Sequence, residues 1–434
     1  MKHWPALALV LAGACTDLEQ EPAAGGGGKA DGHEAFSRVT TSWELQVGGG
    51  GDAVVAKVKT LADGTLVATS HFPHWVMRAT AAGQRVTTFG TGYRDLFGDR
   101  FIGAVEARAG DVWQVGATEL VGAIRQDTGV FTELVGWTAT GNANTAFGAG
   151  GSVRLPSSSD AGAATVAIEH DAARDRFAVL VVREWLTKQI TLSGPPQTIG
   201  PKKLEVLAID ATTGVTSSLG TFTLPDWEYL YYTNAARVFD LVVQPDDSFV
   251  VLADNMIDVP VPERNTSEYR HRWSAFHLVP GQPPVQTSLA VTSGYLAGQV
   301  AFTRVGGGRF DLYLDGIVDG VSTSDTDKQL VRVSLDDSFE PELDVLGAAV
   351  DRLGGCTAAA ASGDLFVVGE GRDRTKPLQF TAYPKGGEPF TFTGDLTKRC
   401  LLSLSLGPSG QLHAGTWDTT ESGWKAMLTT MTPE

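Results

Sequence analysis

The sequence predicts an all-β fold, a seven-bladed β-propeller, on three observations. Turn-forming glycine is abundant, at 51 of 434 residues, while charged residues make up only 19% of the chain, a balance that suits many short strands and tight turns better than helices. No long helical heptads interrupt the pattern. A hairpin of apolar strand, tight turn and apolar strand recurs along the whole chain after residue 35, and recurrence without intervening helices is the mark of a propeller.

The seven hairpins are AKVKTLADGTLVATS (56–70), AVEARAGDVWQVGAT (104–118), AIEHDAARDRFAVLVV (167–182), LVVQPDDSFVVLADN (241–255), AFTRVGGGRFDLYLDG (301–316), AAAASGDLFVVGEG (358–371) and SLSLGPSGQLHAGTW (403–417). Gly, Asp, Asn or Pro at each turn tolerates a left-handed backbone or a type I turn. A third strand ending in a second turn follows most of them, as in KLEVLAIDATTGVTS (203–217), VGAIRQDTGVFTEL (121–134), QLVRVSLDDSF (329–339) and LQFTAYPKGGEPFTF (378–392). The last unit runs out of chain after its third strand, WKAMLTTM (424–431), and FSRVTTSWELQV (36–47) is placed to supply the missing one. Such a strand would join the chain ends and leave no unpaired edge in the ring. A pair of β-sandwiches is the competing architecture, but it does not require four strands per repeat.

TTFGTGYRD (87–95) and LVVQPDDSFVVLA (241–253) resemble a secreted bacterial propeller repeat that carries an FGTGG-like turn and a following PDG-type hairpin. That resemblance implies the fold and leaves the activity open.

The first residues differ in kind from this body. Lys2, the apolar run Ala6 to Ala12 and the small residues Gly13 and Ala14 are arranged as a secretory signal, residues 1–14, whose apolar run is too short to span a bilayer. Leu11-Ala12-Gly13-Ala14-Cys15 resembles the lipobox of bacterial lipoproteins, with Ala12 where leucine is commonest. The resemblance implies that Cys15 is acylated and that the protein is exported and lipid-anchored, and Thr16 after the cysteine implies the outer membrane of the cell envelope. Residues 15–35 then read as a flexible tether, and 36–434 as the propeller. With Cys15 lipidated, Cys356 and Cys400 remain in an oxidising compartment. They either form a disulfide, worth roughly 4 kcal/mol in the chain-entropy model, or stand as two buried thiols.

The net charge of −16 argues against nucleic acid and anionic lipid surfaces as partners, since both need a basic face. The membrane is expected to be met through the lipid alone, and the chain to be a monomer. Insertions gather in the third and fourth units: EWLTKQITLSGPPQTIGPK (184–202), LPDWEYLYYTN (224–234) and NMIDVPVPERNTSEYRHR (255–272). Read as loops on one face, they bring Trp185, Trp227, Tyr229, Tyr231, Tyr232, Tyr269 and Trp273 together as a candidate surface for a protein or glycan ligand. The competing reading has these aromatics packing the insertions onto the blades.

Other candidate sites are thinner. His71 and His74 lack a third metal ligand, and Asp319, Asp325 and Asp327, the candidates for Ca²⁺, lack DxDxDG spacing, so no cofactor is expected. GxSxG, HExxH and P-loop motifs do not occur. The sequence therefore favours a binding or scaffold module over two alternatives. One is a propeller hydrolase, lyase or quinoprotein-type dehydrogenase acting on an extracellular sugar or ester, with His170 or Asp240 in the channel. The other is a structural surface protein without a small ligand.

Overall fold

A computed structural model describes residues 36–44, 55–60, 64–71, 74–89, 94–95, 104–107, 112–116, 132–138, 140–156, 163–171, 173–188, 197–225, 237–261, 266–305, 309–322, 328–335, 339–348, 356–362, 365–370, 376–394, 399–407, 410–420 and 423–433. Among them every regular element is a strand. In chain order these are β1 (Phe36–Glu44), β2 (Val55–Thr60), β3 (Leu66–His71), β4 (His74–Ala79), β5 (Arg94–Asp95), β6 (Ala104–Ala107), β7 (Val112–Gly116), β8 (Thr132–Thr138) and β9 (Ser152–Leu155). There follow β10 (Ala164–Asp171), β11 (Arg176–Lys188), β12 (Gln197–Asp210), β13 (Thr216–Thr223), β14 (Arg237–Val243), β15 (Phe249–Val261), β16 (Thr266–Leu278) and β17 (Val285–Val305). The last are β18 (Arg309–Val318), β19 (Gln329–Leu335), β20 (Pro341–Ala348), β21 (Thr357–Ser362), β22 (Leu365–Glu370), β23 (Gln379–Pro384), β24 (Phe390–Thr393), β25 (Arg399–Leu406), β26 (Leu412–Thr420) and β27 (Gly423–Pro433).

The chain divides into two compact units, residues 1–86 with 350–434, and residues 87–349. In the first, β2 to β4 and β21 to β24 are antiparallel meanders, and β25, β26 and β27 form a sheet whose outer strand is β1. Phe36 lies opposite Pro433 and Glu44 opposite Met427, so the first described strand pairs with the last. That pairing satisfies backbone groups that β27 would otherwise leave at a bare edge. Leu404, Leu412 and Ala414 pack against Val367, Phe380 and Ala382 of the neighbouring sheet. Beside this core a disulfide joins Cys356, immediately before β21, to Cys400 in β25, across 44 positions of sequence. It staples the first strands of two successive sheets, and closing a loop of that length is worth roughly 4 kcal/mol in the chain-entropy model. On the other side of β25, the Thr60 backbone N–H donates to Ser405 Oγ at 2.8 Å, and the two hydroxyls lie 2.8 Å apart.

In the second unit β6 to β9 and β10 to β13 are four-stranded meanders, and β14 to β20 form one seven-stranded sheet. The fusion comes from β17. Its residues 285–293 pair with β16, and from Thr292 onward, across an irregularity between Ser293 and Gly298, it pairs with β18. One long strand thus ends one four-stranded meander and begins the next. The second meander held a difference from the sequence reading: residues 132–134, placed after a turn, begin the third strand β8, which pairs with β7. The chain from 121 to 131 lies outside the described residues.

Both faces of β11 are covered. Ala178, Leu180 and Val182 meet Leu241, Val251 and Phe276 on one side, while Phe177, Val179 and Val181 meet Leu134 and Phe147 on the other. This is why FAVLVV reads as an unbroken apolar run and lacks the alternation of a half-exposed strand. Turns carry the residues their geometry demands: Gly64, Asp175, Asp247 and Gly410 all adopt positive φ just before the second strand of a hairpin. Buried Asp171 accepts from Arg176 Nε at 2.9 Å and from Arg174 at 3.2 Å. The same arginines reach the next hairpin, Arg176 pairing with Asp247 and Arg174 donating to the Pro245 carbonyl at 2.6 Å.

The buried polar group with the plainest energetic consequence is His413 in β26. Its Nδ1 lies 2.9 Å from Thr430 Oγ1, its Nε2 finds no partner among the described residues, and burial pushes its pKa down to about 4. Between pH ~6.5 and ~4 the unfolded chain binds this proton and the folded one does not, so stability is whole above that window and falls on acidification by roughly 3 kcal/mol. Denaturant titrations from pH 7 to pH 4 should show that loss in the wild type and a flatter profile in His413→Gln. Identical profiles would contradict the assignment.

Candidate functional site on two extended hairpins

Where they are described, the insertions of the third and fourth units are strand, at 184–188, 197–202, 255–261 and 266–272, which corrects the expectation of loops there, while 189–196, 226–236 and 262–265 lie outside the described residues. In the third unit β11 and β12 remain paired to their ends, with Trp185 opposite Pro201 and Lys188 opposite Gln197. Their flanking strands stop earlier: β10 pairs only as far as Val182 of β11, and β13 only as far as Lys203 of β12. In the fourth unit β15 and β16 pair from Phe249 with Leu278 out to Val261 with Thr266, whereas β14 stops at Asp254 and β17 at Arg270. Each unit therefore extends a two-stranded ribbon beyond its sheet. Cross-strand pairing gives inward backbone groups partners that an open loop would leave to water: β15 and β16 pair one to one, while β11 and β12 stay paired through register shifts near Glu184 and Leu186.

The ribbons grow from sheets that pack on each other. Trp185 and Leu186, at the base of the first ribbon, rest half-buried against the cluster that contains Val251 and Ala253 of β15 and Phe276 of β16. Outside that contact the ribbon is polar, with Glu184, Thr187 and Thr198 exposed. Lys202 Nζ lies 2.7 Å from Glu184 Oε1, and this contact holds the Glu184 carboxyl below its usual range.

The base of the second ribbon is more heavily built. Asp254, Asn255, Met256 and Ile257 are all buried, so successive residues are covered on both faces. His271 Nδ1 lies 3.4 Å from the carboxylate of Asp254, and its ring stacks on Trp273 at 6.1 Å between centroids. Trp273 Nε1 donates in turn to Thr292 Oγ1 at 3.2 Å. Arg270 donates to both oxygens of Asp319 at 2.7 Å and to Glu268 at 3.2 Å. Burial alone would lower the arginine's pKa, but the two carboxylates outweigh it and raise the value. These ring and charge contacts brace the base of the ribbon.

The expected aromatic surface is only partly assembled. Trp273 is 1% exposed and belongs to the core between the two halves of the seven-stranded sheet, so it offers no face to a partner. Trp185 stands at a ribbon base, and Tyr269 lies in β16 opposite Asp258, its side chain outside the described residues. Trp227, Tyr229, Tyr231 and Tyr232 lie outside the described residues, as does Cys15. His71 and His74 are register partners at the end of β3 and β4. Asp319 is engaged by Arg270, and Asp325 and Asp327 lie outside the described residues. Among the described residues no group of three His, Cys, Asp or Glu side chains is placed to hold a metal ion. His170 stacks on Phe177 at 5.1 Å, and Asp240 accepts from the Leu241 backbone N–H at 2.8 Å.

One constellation looks catalytic by composition. Ser248 Oγ donates to Asp246 Oδ1 at 2.7 Å while His277 Nε2 lies 2.9 Å from the same hydroxyl. The order is wrong for a nucleophile, because the serine proton is committed to the carboxylate instead of to the imidazole. These residues cap the β14–β15 turn. The hydrogen bonds from Ser248 hold the Asp246 carboxyl below its usual range, and burial lowers His277 against a weaker opposing pull from Asp246.

No protein-family model matches the chain, and no curated protein matches it in sequence. Solved structures align with most of its length. A streptogramin B lyase is 10% identical, with 90% of this chain and 97% of that one covered and a TM-score of 0.47. YCF48 from Cyanidioschyzon merolae is 9% identical over 90% of this chain and 99% of that one, with a TM-score of 0.45. The GH93 α-L-arabinofuranosidase of Fusarium graminearum is 9% identical over 87% and 92%, with a TM-score of 0.33. The first two are propeller-like. Likeness at this level carries no information about activity.

Proposed function

We propose that the chain is an envelope lipoprotein whose seven-bladed β-propeller body binds a protein or glycan partner through the ribbons β11–β12 and β15–β16. The observation that carries the binding role is that, among the described residues, both ribbons outrun the strands beside them. A two-stranded ribbon has two free edges of backbone donors and acceptors, and natural proteins do not usually leave such edges long and bare. Here they rise from a rigid base, the arrangement expected of a recognition element. Half-buried Trp185 and the Glu184–Lys202 pair supply one amphipathic anchor and a charged rim.

The propeller reading rests on seven units that begin at β2, β6, β10, β14, the second half of β17, β21 and β25. First strands of neighbouring units touch within each compact part, β6 with β10, β10 with β14, β21 with β25 and β25 with β2. The pairing of β1 with β27 gives the last unit its fourth strand, which is the way a ring of such units would close. Export and lipid attachment rest on the lipobox-like segment ending at Cys15.

Two experiments test this reading. A photo-crosslinking residue placed at exposed Thr187 or Thr198 should yield discrete adducts in living cells, and the same residue at exposed Thr221 in β13 should not. Absence of adducts at both ribbon positions, or equal adducts from Thr221, would refute the ribbon assignment. Metabolic labelling with a fatty-acid analogue should mark the wild type and spare Cys15→Ala; equal labelling would remove the lipid anchor.

A further inference from the structure

The seven-stranded sheet ends at β20, which pairs with β19 on one side and, among the described residues, with no strand on the other. Four large apolar side chains are markedly exposed among the described residues, and two of them, Leu343 and Val345, sit two positions apart on this strand. Two-residue spacing puts them on one face of the sheet. Their register partners, Val333 and Val331, belong to the buried core of that face. The apolar layer therefore runs outward through β19 and emerges exposed at β20 among the described residues.

The opposite face has different chemistry. Glu342 lies opposite Ser334 and Asp344 opposite Arg332, while Asp311 of β18 lies opposite Ser334 and accepts its hydroxyl at 2.6 Å. Arg332 donates to Asp344 at 2.6 Å. Carboxylates from β18 and both outer positions of β20 thus share this face with the Arg332 guanidinium, and Glu342 is exposed.

We propose that the free edge of β20 is a strand-addition site for an extended peptide segment of another protein that alternates apolar and basic residues. Adding a strand completes the unpaired backbone ladder, and its period of two sends alternate side chains to opposite faces. One set would cover Leu343 and Val345, and the other would meet Glu342 and Asp344. The same charges argue against a second copy of this chain. Two β20 strands laid antiparallel would bring Glu342 and Asp344 close to their own counterparts, and like charges opposite one another are destabilising. This surface is separate from the ribbons and does not depend on them.

The test is a fluorescent peptide of alternating lysine and valine, eight residues long to match β20, titrated into the full chain and followed by anisotropy. Saturable binding is expected, with slower amide exchange along β20, weakening as salt rises. Affinity should fall at least about tenfold when alternate peptide nitrogens are methylated, because the backbone ladder is then blocked. Glu342→Lys should weaken binding as well, with unchanged melting showing that the variant is folded. Equal binding of the methylated peptide, equal binding of a glutamate–valine peptide, or no effect of Glu342→Lys overturns the proposal. So does peptide-free dimerisation abolished by Val345→Asp, which would assign the edge to a second copy.

Discussion

Small antiparallel sheets of short strands are marginal by themselves, and each sheet in this chain depends on being covered by its neighbours. That constraint organises the second unit. Val179 and Leu180 are adjacent in sequence, yet the first packs toward the sheet of β8 and the second toward the sheets of β14 to β16. Burial of both faces supplies the hydrophobic gain, at about 25 cal/mol for each Å² of apolar surface. It also fixes register, since a one-residue slip would exchange the two sets of contacts. The polar links between neighbouring hairpins, Arg174 and Arg176 with Asp247 in one part and the Cys356–Cys400 bridge in the other, occur where the chain turns or where a sheet begins. They lock positions that the apolar contacts have already chosen.

Covering by neighbouring strands ends, among the described residues, at the two ribbons. The ribbons leave the sandwich of sheets at Val182 and Asp254, and from there each is held by its own ladder and by anchors at the base. Trp185 anchors one ribbon on the shared core. The other is held by a stack of His271 on Trp273 and by Arg270 spanning Glu268 and Asp319. These side chains brace each hairpin where it leaves its sheet.

Much of the fold was legible because strand and turn chemistry is local. All seven hairpins fall at the expected positions, and the residues expected to tolerate positive φ include Gly64, Asp247 and Gly410, which adopt it. Even the pairing of β1 with β27 followed from counting strands. The insertions read as loops because Pro, Gly and charge in EWLTKQITLSGPPQTIGPK and NMIDVPVPERNTSEYRHR resemble loop composition, whereas 184–188, 197–202, 255–261 and 266–272 are strand. Their strands are held by long-range register, which composition does not encode. Trp273 differs for a related reason: an aromatic beside Arg and His reads as surface, whereas its indole is buried in the core that β15, β16 and the start of β17 share with β18 and β19. The Asp254–His271 contact was invisible, since 17 residues separate partners that the β15–β16 ladder brings within 3.4 Å.

The claim on which the account turns is that β1 completes the last sheet and protects the edge of β27. Thermal melting and sedimentation of chains beginning at residue 35 and at residue 45 test it most directly. The account predicts that the longer chain behaves as the full-length protein does, while removal of β1 lowers the melting temperature by several degrees and drives association through the uncovered edge. Two chains that melt together and both remain monomeric would contradict it.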